Sequence, residues 1–242
     1  MFVKSFVLLL LANLTMAEIP SYINICGRRN PKLDECIINS TELIRDKLIT
    51  GIPELEIPKI SPLTLKKLIF TDDPNFQIIA ENVKIYGVDT FQVINLKTDL
   101  KKQQIDTTVI YKQIKIETAY NINTKILVPL VGNGHIKADT YNVTAKVLLR
   151  YKLIEKDGKK YMYFFSMTTK LDIKDVIINI EPENNTDDTL REIIRNIFNT
   201  NKNDMISIIL PSIEKSISEN VLMISNNIVK HFHYDEILPD RE

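Results

Sequence analysis

The side chains with the most chemistry to offer are two cysteines, Cys26 and Cys36, and three histidines, His135, His231 and His233. Two histidines sharing a metal on one helix face need a spacing of about four residues. His231 and His233 are two apart, and no third ligand falls beside them. The acidic pairs Asp72-Asp73 and Asp187-Asp188 sit in polar stretches and read as solvated turns. No Gly-x-Ser-x-Gly elbow, phosphate-binding loop or dinucleotide fingerprint occurs. The chain is therefore read as a non-enzyme, with no metal and no cofactor expected. The cysteines lie ten positions apart around Gly27, Arg28, Arg29 and Pro31, residues suited to a tight turn. In an oxidising compartment they would close a short disulfide loop worth about 2–3 kcal/mol. The competing reading, a reactive thiol, lacks a Cys-x-x-Cys motif.

The compartment follows from the N-terminus. Residues Met1 to Ala17 (MFVKSFVLLLLANLTMA) have a basic Lys4, an apolar run from Phe6 to Leu14 and a Thr15-Met16-Ala17 cleavage pattern. This is a secretory signal peptide, too short to span a bilayer. An amphipathic surface anchor is the competing reading, but the run has no charged face. A single domain, 18–242, follows, and the mature protein is expected outside the cell. Three sequons in the mature chain, at Asn39, Asn142 and Asn184, are candidate glycosylation sites, which requires each to face solvent. The 31 basic and 31 acidic residues balance, which argues against a nucleic-acid partner. Nothing in the mature chain is apolar for long enough to insert stably in a membrane. A monomer is expected.

Periodicity supplies the elements. Residues 31–50 repeat apolar positions at helical spacing, with Gly51 and Pro53 as stop signals. Gly51 to Leu65 is Pro-punctuated and extended. From about Ile78 to Ile180 the period is two. Tyr141, Val143, Ala145, Val147, Leu149, Tyr151 and Leu153 alternate with mostly polar residues. Tyr161, Tyr163, Phe165, Met167, Thr169, Leu171 and Ile173 read as one face of the next strand. Asp157-Gly158 between them signals a tight hairpin. Less regular strands are expected over Val83–Val88, Phe91–Leu96, Ile105–Tyr120 and Ile122–Val131. A helix capped at Asp188 or Thr189 runs to about Phe198, and Asn199 to Asn203 interrupt it. From Asp204 to Phe232 the stripe Ile206, Leu210, Ile213, Ile217, Val221, Ile224, Ile228, Phe232 marks one long amphipathic helix, kinked or restarted at Pro211. A long one-sided helix needs a long apolar partner, which a strongly bent antiparallel sheet provides. The facing residues either pack as a solid core or line a hydrophobic cavity; periodicity does not separate the two.

Several blocks, in order and spacing over nearly the whole mature chain, resemble one family. They are the paired Cys26 and Cys36; Gly51-Ile52-Pro53-Glu54-Leu55 with Ile57-Pro58 and Ser61-Pro62-Leu63; Leu127 to Gly134 (LVPLVGNG); Leu210-Pro211-Ser212-Ile213-Glu214; and Tyr234 to Pro239 (YDEILP). The chain is similar to the takeout / juvenile-hormone-binding family of insect secreted lipophile carriers. The resemblance implies an α+β fold, a long, curved antiparallel β-sheet wrapped around a long C-terminal amphipathic helix, with an internal hydrophobic tunnel. It implies a small hydrophobic ligand, fatty-acid-like or terpenoid. The candidate lining residues are Phe91, Val93, Val128, Tyr141, Val147, Tyr151, Tyr163, Phe165, Met167, Ile206, Ile213, Ile217, Val221 and Ile224, for each of which core packing and ligand contact are both open. The hormone carriers have a second disulfide, for which this chain has no cysteines, so it sides with the takeout-like branch. Asn201-Lys202-Asn203-Asp204 and the absence of Trp also depart from the family pattern, as does the loss of a glycine around Thr124, and juvenile hormone is not carried over as the ligand. The alternative is an interaction protein that acts at a membrane or receptor surface with nothing held inside.

Overall fold

The computed structural model of the chain describes residues 19–73, 76–124, 130–183 and 202–242, with Glu192, Asn196 and Thr200 besides. The expected signal peptide and the site residues Val128 and Asn184 lie outside these. So does the helix expected to end near Phe198, apart from the helical Glu192, Asn196 and Thr200. Helices α1 (Leu33–Leu43) and α2 (Arg45–Thr50) come first, then a 3₁₀ turn at Pro53–Leu55. Six antiparallel strands follow: β1 (Leu63–Asp73), β2 (Phe76–Tyr86), β3 (Gln92–Asp99), β4 (Gln104–Thr124), β5 (Leu130–Lys156) and β6 (Lys159–Pro182). The long helix α3 (Lys202–Val229) and the short α4 (Tyr234–Ile237) end the chain. No helix among the described residues is long and apolar enough to cross a membrane.

The sheet order is β1-β2-β4-β5-β6. Strand β4 is long enough to share one edge, pairing β2 along its second half and β3 along its first. At about 3.3 Å per residue, the 27 residues of β5 would run about 90 Å if flat, while the 28 residues of α3 span about 42 Å. The sheet therefore coils around its helix rather than lying along it. Helix α3 packs on both edge strands, β6 and β1, and so closes the wrap.

The coil is built from local changes of parity. In β4, β5 and β6 the inward set runs through Tyr111, Val143 and Ile173 and then resumes one residue out of phase at Ile114, Thr140 and Val176. The three strands change together, so their register is continuous there. Asn142 at this level has φ +50°, and Asn82 at the β2 bulge has φ +52°. Asparagine is the residue other than glycine that best tolerates this left-handed region. A third irregularity, where Arg150 pairs Ser166 but Tyr151 pairs Phe164, leaves Phe165 as an extra residue in β6. The β5–β6 turn matches the Asp-Gly signal: Asp157 and Gly158 both have positive φ, +53° and +72°.

Several sequence expectations are corrected by these elements. The helix over 31–50 is two helices broken at Ile44. The extended stretch leading to Leu65 folds into the 3₁₀ turn, a bridge between Ile52 and Ile57, and the start of β1. The strand ending near Val131 and the strand from Tyr141 are separated differently: β5 begins at Leu130 and runs unbroken to Lys156. Pro211 stands inside α3 without ending it, and α3 starts at Lys202, within the expected interruption.

The helix meets the edge strands through polar groups. The Asn226 side chain accepts from Phe164 N–H (2.9 Å) and donates to Phe164 C=O (2.8 Å), pairing the free edge of β6 as another strand would. Glu214, 7% exposed, accepts from Leu171 N–H (2.9 Å) and from Lys170 Nζ (2.8 Å). Buried Ser218 donates to the buried Thr169 hydroxyl or to Glu214 C=O. On the other edge Ser212 Oγ donates to Phe70 C=O at 3.3 Å. An open sheet edge is a row of unsatisfied N–H and C=O groups, and these side chains blunt it.

Candidate functional site

One end of the wrap is plugged by the segment from Ile19 and by the C-terminal tail. Cys26 and Cys36 are joined in a disulfide, which ties the segment after Ile19 to α1. The loop they close holds Arg28, whose Nη2 donates to Asp235 Oδ1 at 2.7 Å and whose guanidinium lies 4.7 Å from the centre of the Tyr234 ring. Arg28 N–H donates to Pro239 C=O, and Arg29 N–H to Arg241 C=O. Gly27 is required by this approach: a Cβ there would sit 2.2 Å from Arg241 O. The Gly51–Pro58 stretch supplies a second plug, in which Ile52, Leu55 and Ile57 pack with Phe232.

Beneath the plug lies a cavity of about 210 Å³. Ile23, Ile25 and Cys26 form one wall and Ile37, Ser40 and Thr41 of α1 a second. Met162 and Phe164 of β6 face Ile228 and Val229 of α3, and Phe232, Ile237 and Leu238 close the end. The walls carry no Lys, Arg, His, Asp or Glu. The polar donors among them are used internally: Ser40 Oγ donates to Asn24 C=O (2.8 Å) and Thr41 Oγ1 to Ile37 C=O (2.9 Å). Tyr151 packs in the same cluster, edge-on to Phe164, and is 1% exposed. Its hydroxyl lies beside Tyr234, and burial pushes its pKa strongly up. A larger hollow of about 360 Å³ runs along the seam of α3 and β6, but Lys170, Lys215, Glu214 and Glu219 line it and it opens to water. Charged walls of that kind hold water, not an apolar molecule.

Further along the wrap, the inner rows Ile105–Leu149–Met167, Thr107–Val147–Thr169 and Tyr111–Val143–Ile173 cross the sheet. Tyr111, on the last of these rows, is packed closely enough that burial alone raises its phenol to about 12.

The expected site residues are dispersed by the changes of parity. Tyr151, Val147 and Met167 lie on the inner rows, and Ile206, Ile213, Ile217 and Ile224 of α3 are partly buried. Tyr163 and Phe165 stand on the opposite face from Met167, 42% and 51% exposed, because the extra residue in β6 turns Met162 and Phe164 inward in their place. Val221 is 37% exposed, and the most buried positions near it on α3 are the polar Glu214 and Ser218. Phe91 is buried under the Arg45 guanidinium of α2, 4.1 Å away. Val93 is partly buried on β3, and Tyr141 sits at the parity change with its hydroxyl 3.3 Å from Gln113 Nε2. Asn39 and Asn142 are exposed. Among the described residues no three His, Cys, Asp or Glu side chains are grouped to hold a metal ion. His233 instead caps α4 with Glu236, and its ring lies edge-on to Tyr161. The cavity walls from Ile23 to Ile44 and the tail residues Phe232, Ile237 and Leu238 were not anticipated. Their only sequence signal was the density of Ile around the cysteine pair.

The sequence profile described as haemolymph juvenile hormone binding protein matches residues 5–239. The chain belongs to the haemolymph juvenile hormone binding protein family. Among solved structures, Takeout 1 of Epiphyas postvittana superposes with a TM-score of 0.74 at 17% identity, over 89% of this chain and 99% of that one. The family fold is thus the coiled sheet and long helix seen here. A lipopolysaccharide binding protein also aligns, with a TM-score of 0.33 at 15% identity, over 76% of this chain and 38% of that one. No curated protein matches the sequence.

Proposed function

We propose that this family member is a secreted carrier that sequesters a small hydrophobic molecule, fatty-acid-like or terpenoid, inside the wrap and performs no catalysis on it. The observation that supports this most is the cavity beneath the terminal plug, walled by aliphatic and aromatic side chains and free of charge. A ligand losing roughly 300 Å² of apolar surface there gains about 7 kcal/mol at about 25 cal/mol per Å². Lost translational and rotational freedom offsets part of this, so affinities weaker than about 10 μM are expected from this cavity alone. Family membership and the apolar run at Met1–Ala17 support secretion, and the solvent-facing Asn39 and Asn142 suit glycan attachment.

The test is native mass spectrometry of the protein from a eukaryotic secretion host, followed by extraction, with uptake of a fluorescent apolar probe measured alongside. A stoichiometric extractable lipophile, or saturable probe uptake that Val229→Phe abolishes without unfolding the protein, supports the carrier. An empty protein that takes up neither probe nor fatty acids nor terpenoids overturns it.

A further inference from the structure

The β5–β6 hairpin presents a second feature on its outer side. On this side of residues 150–165 four basic side chains, Arg150, Lys152, Lys156 and Lys159, stand with one acidic residue, Asp157 at the turn, while Glu155 and Lys160 pair on the other side. All four are exposed, and none makes an ion pair among the described residues. Between them stand three exposed apolar side chains: Ile154 at 40%, Tyr163 at 42% and Phe165 at 51%. Cross-strand pairing puts them together, with Lys152 opposite Tyr163 and Ile154 opposite Tyr161. The Lys152 ammonium lies 5.5 Å from the Tyr163 ring centre. The exposure of the rings follows from the extra residue at Phe165, which rotates this stretch of β6 by one position.

Rings with cations around them suit one kind of surface, the interface of an anionic phospholipid bilayer. Tyr and Phe settle at headgroup depth, while Lys and Arg pair with the lipid charge. We infer that the outer face of the β5–β6 hairpin docks on such a bilayer. The position is informative because Met162 and Phe164, which alternate with Tyr163 and Phe165, line the cavity from the other side of the same strand. A bilayer seated on the hairpin lies one strand's thickness from the cavity. The docking itself does not depend on the carrier reading.

The experiment is co-sedimentation of the full chain, without added ligand, with phosphatidylcholine vesicles that contain or lack phosphatidylserine, at low and high salt. Binding is expected to the anionic vesicles only, and to fall steeply with salt. Lys152→Glu and Lys156→Glu should each weaken it about fivefold or more, since a basic residue near an anionic surface contributes about 1 kcal/mol. Tyr163→Ser with Phe165→Ser should weaken it about tenfold or more. Ile177→Ser, which removes a 63% exposed apolar residue from the far part of β6, should leave it unchanged. On the unmutated protein, lysine acetylation at Lys152, Lys156 and Lys159 should slow when anionic vesicles are present. Equal binding to neutral vesicles, unaltered binding of the hairpin variants, an equal loss in Ile177→Ser, or unprotected hairpin lysines would each overturn the proposal.

Discussion

Replacing Asn226 by Ala tests whether α3 closes the wrap by pairing the edge of β6. The substitution removes two hydrogen bonds to the Phe164 backbone, at 2.9 and 2.8 Å. Each is worth about 1 kcal/mol net, so about 2 kcal/mol is lost. Ala gains back about 0.5 kcal/mol in helix propensity over Asn, for a net cost of about 1.5 kcal/mol. In a chain of this size 1 kcal/mol moves Tm by about 2–4 °C, so a fall of about 3–6 °C is expected. Asn226→Asp separates the pairing from simple packing. The carboxylate still accepts from Phe164 N–H but cannot donate to Phe164 C=O, and it sets negative charge against that carbonyl. Asp has no propensity gain to offset this, so Asp should be worse than Ala. The assay is equilibrium unfolding in urea by far-UV circular dichroism with the disulfide intact, alongside the dissociation rate of a bound apolar probe. Phe164 walls the cavity, so the probe should leave faster from both variants. An Ala variant within about 0.5 kcal/mol of wild type, or an Asp variant milder than Ala, would refute the edge-pairing account.

Glu214→Ala should cost about 2–3 kcal/mol, because it leaves the Leu171 N–H without its charged acceptor, while Glu214→Gln should cost less than half as much; urea unfolding of the pair decides. Replacing Cys26 and Cys36 by Ser should cost about 2–3 kcal/mol and weaken probe uptake, since the bond holds one cavity wall against another, and calorimetry with titration of the probe measures both. At high pH the Tyr111 phenol stays protonated in the folded protein to about 12, against an ordinary value of 10.0. Between these values the unfolded chain holds fewer protons than the native one, so stability is intact below about pH 10 and falls as pH rises through the window. Tyr111→Phe should flatten that fall in urea midpoints measured across the window, and an unchanged slope would remove Tyr111 as its source.

How far the sequence was legible depended on whether a residue's neighbours were local. The period of two along Val143 to Leu153 and the Asp157-Gly158 turn were readable, because alternation and turn geometry are set within a few residues. The long C-terminal helix was readable for the same reason. Changes of parity were not. The step from Tyr111 to Ile114 and its partners at Val143/Thr140 and Ile173/Val176 is a property of three strands bending together. No single strand announces it, although Asn142, a residue that tolerates positive φ, stands where β5 makes the turn. The extra residue at Phe165 was equally hidden, and it displaced two site residues: Tyr163 and Phe165 were chosen where Met162 and Phe164 line the cavity.

The same reasoning explains why the helix was misread on one face. An amphipathic stripe assigns Ile and Leu to the interior and Glu, Ser and Asn to water. That rule assumes an apolar partner. Helix α3 lies against the edges of a sheet that does not close on itself, and an edge offers N–H and C=O groups that must be satisfied. Glu214 and Asn226 satisfy them, and Ser218 meets the Thr169 hydroxyl beside them, so all three are drawn into the contact. The apolar residues on the adjoining face, Ile213 and Ile217 among them, are only partly buried. A helix anchored at its flanks by directional bonds need not fill the space inside with its own side chains. This arrangement leaves room for the ligand space proposed above. Exchanging the edge bonds for apolar packing would tighten the contact and, on this account, shrink the space available to a ligand.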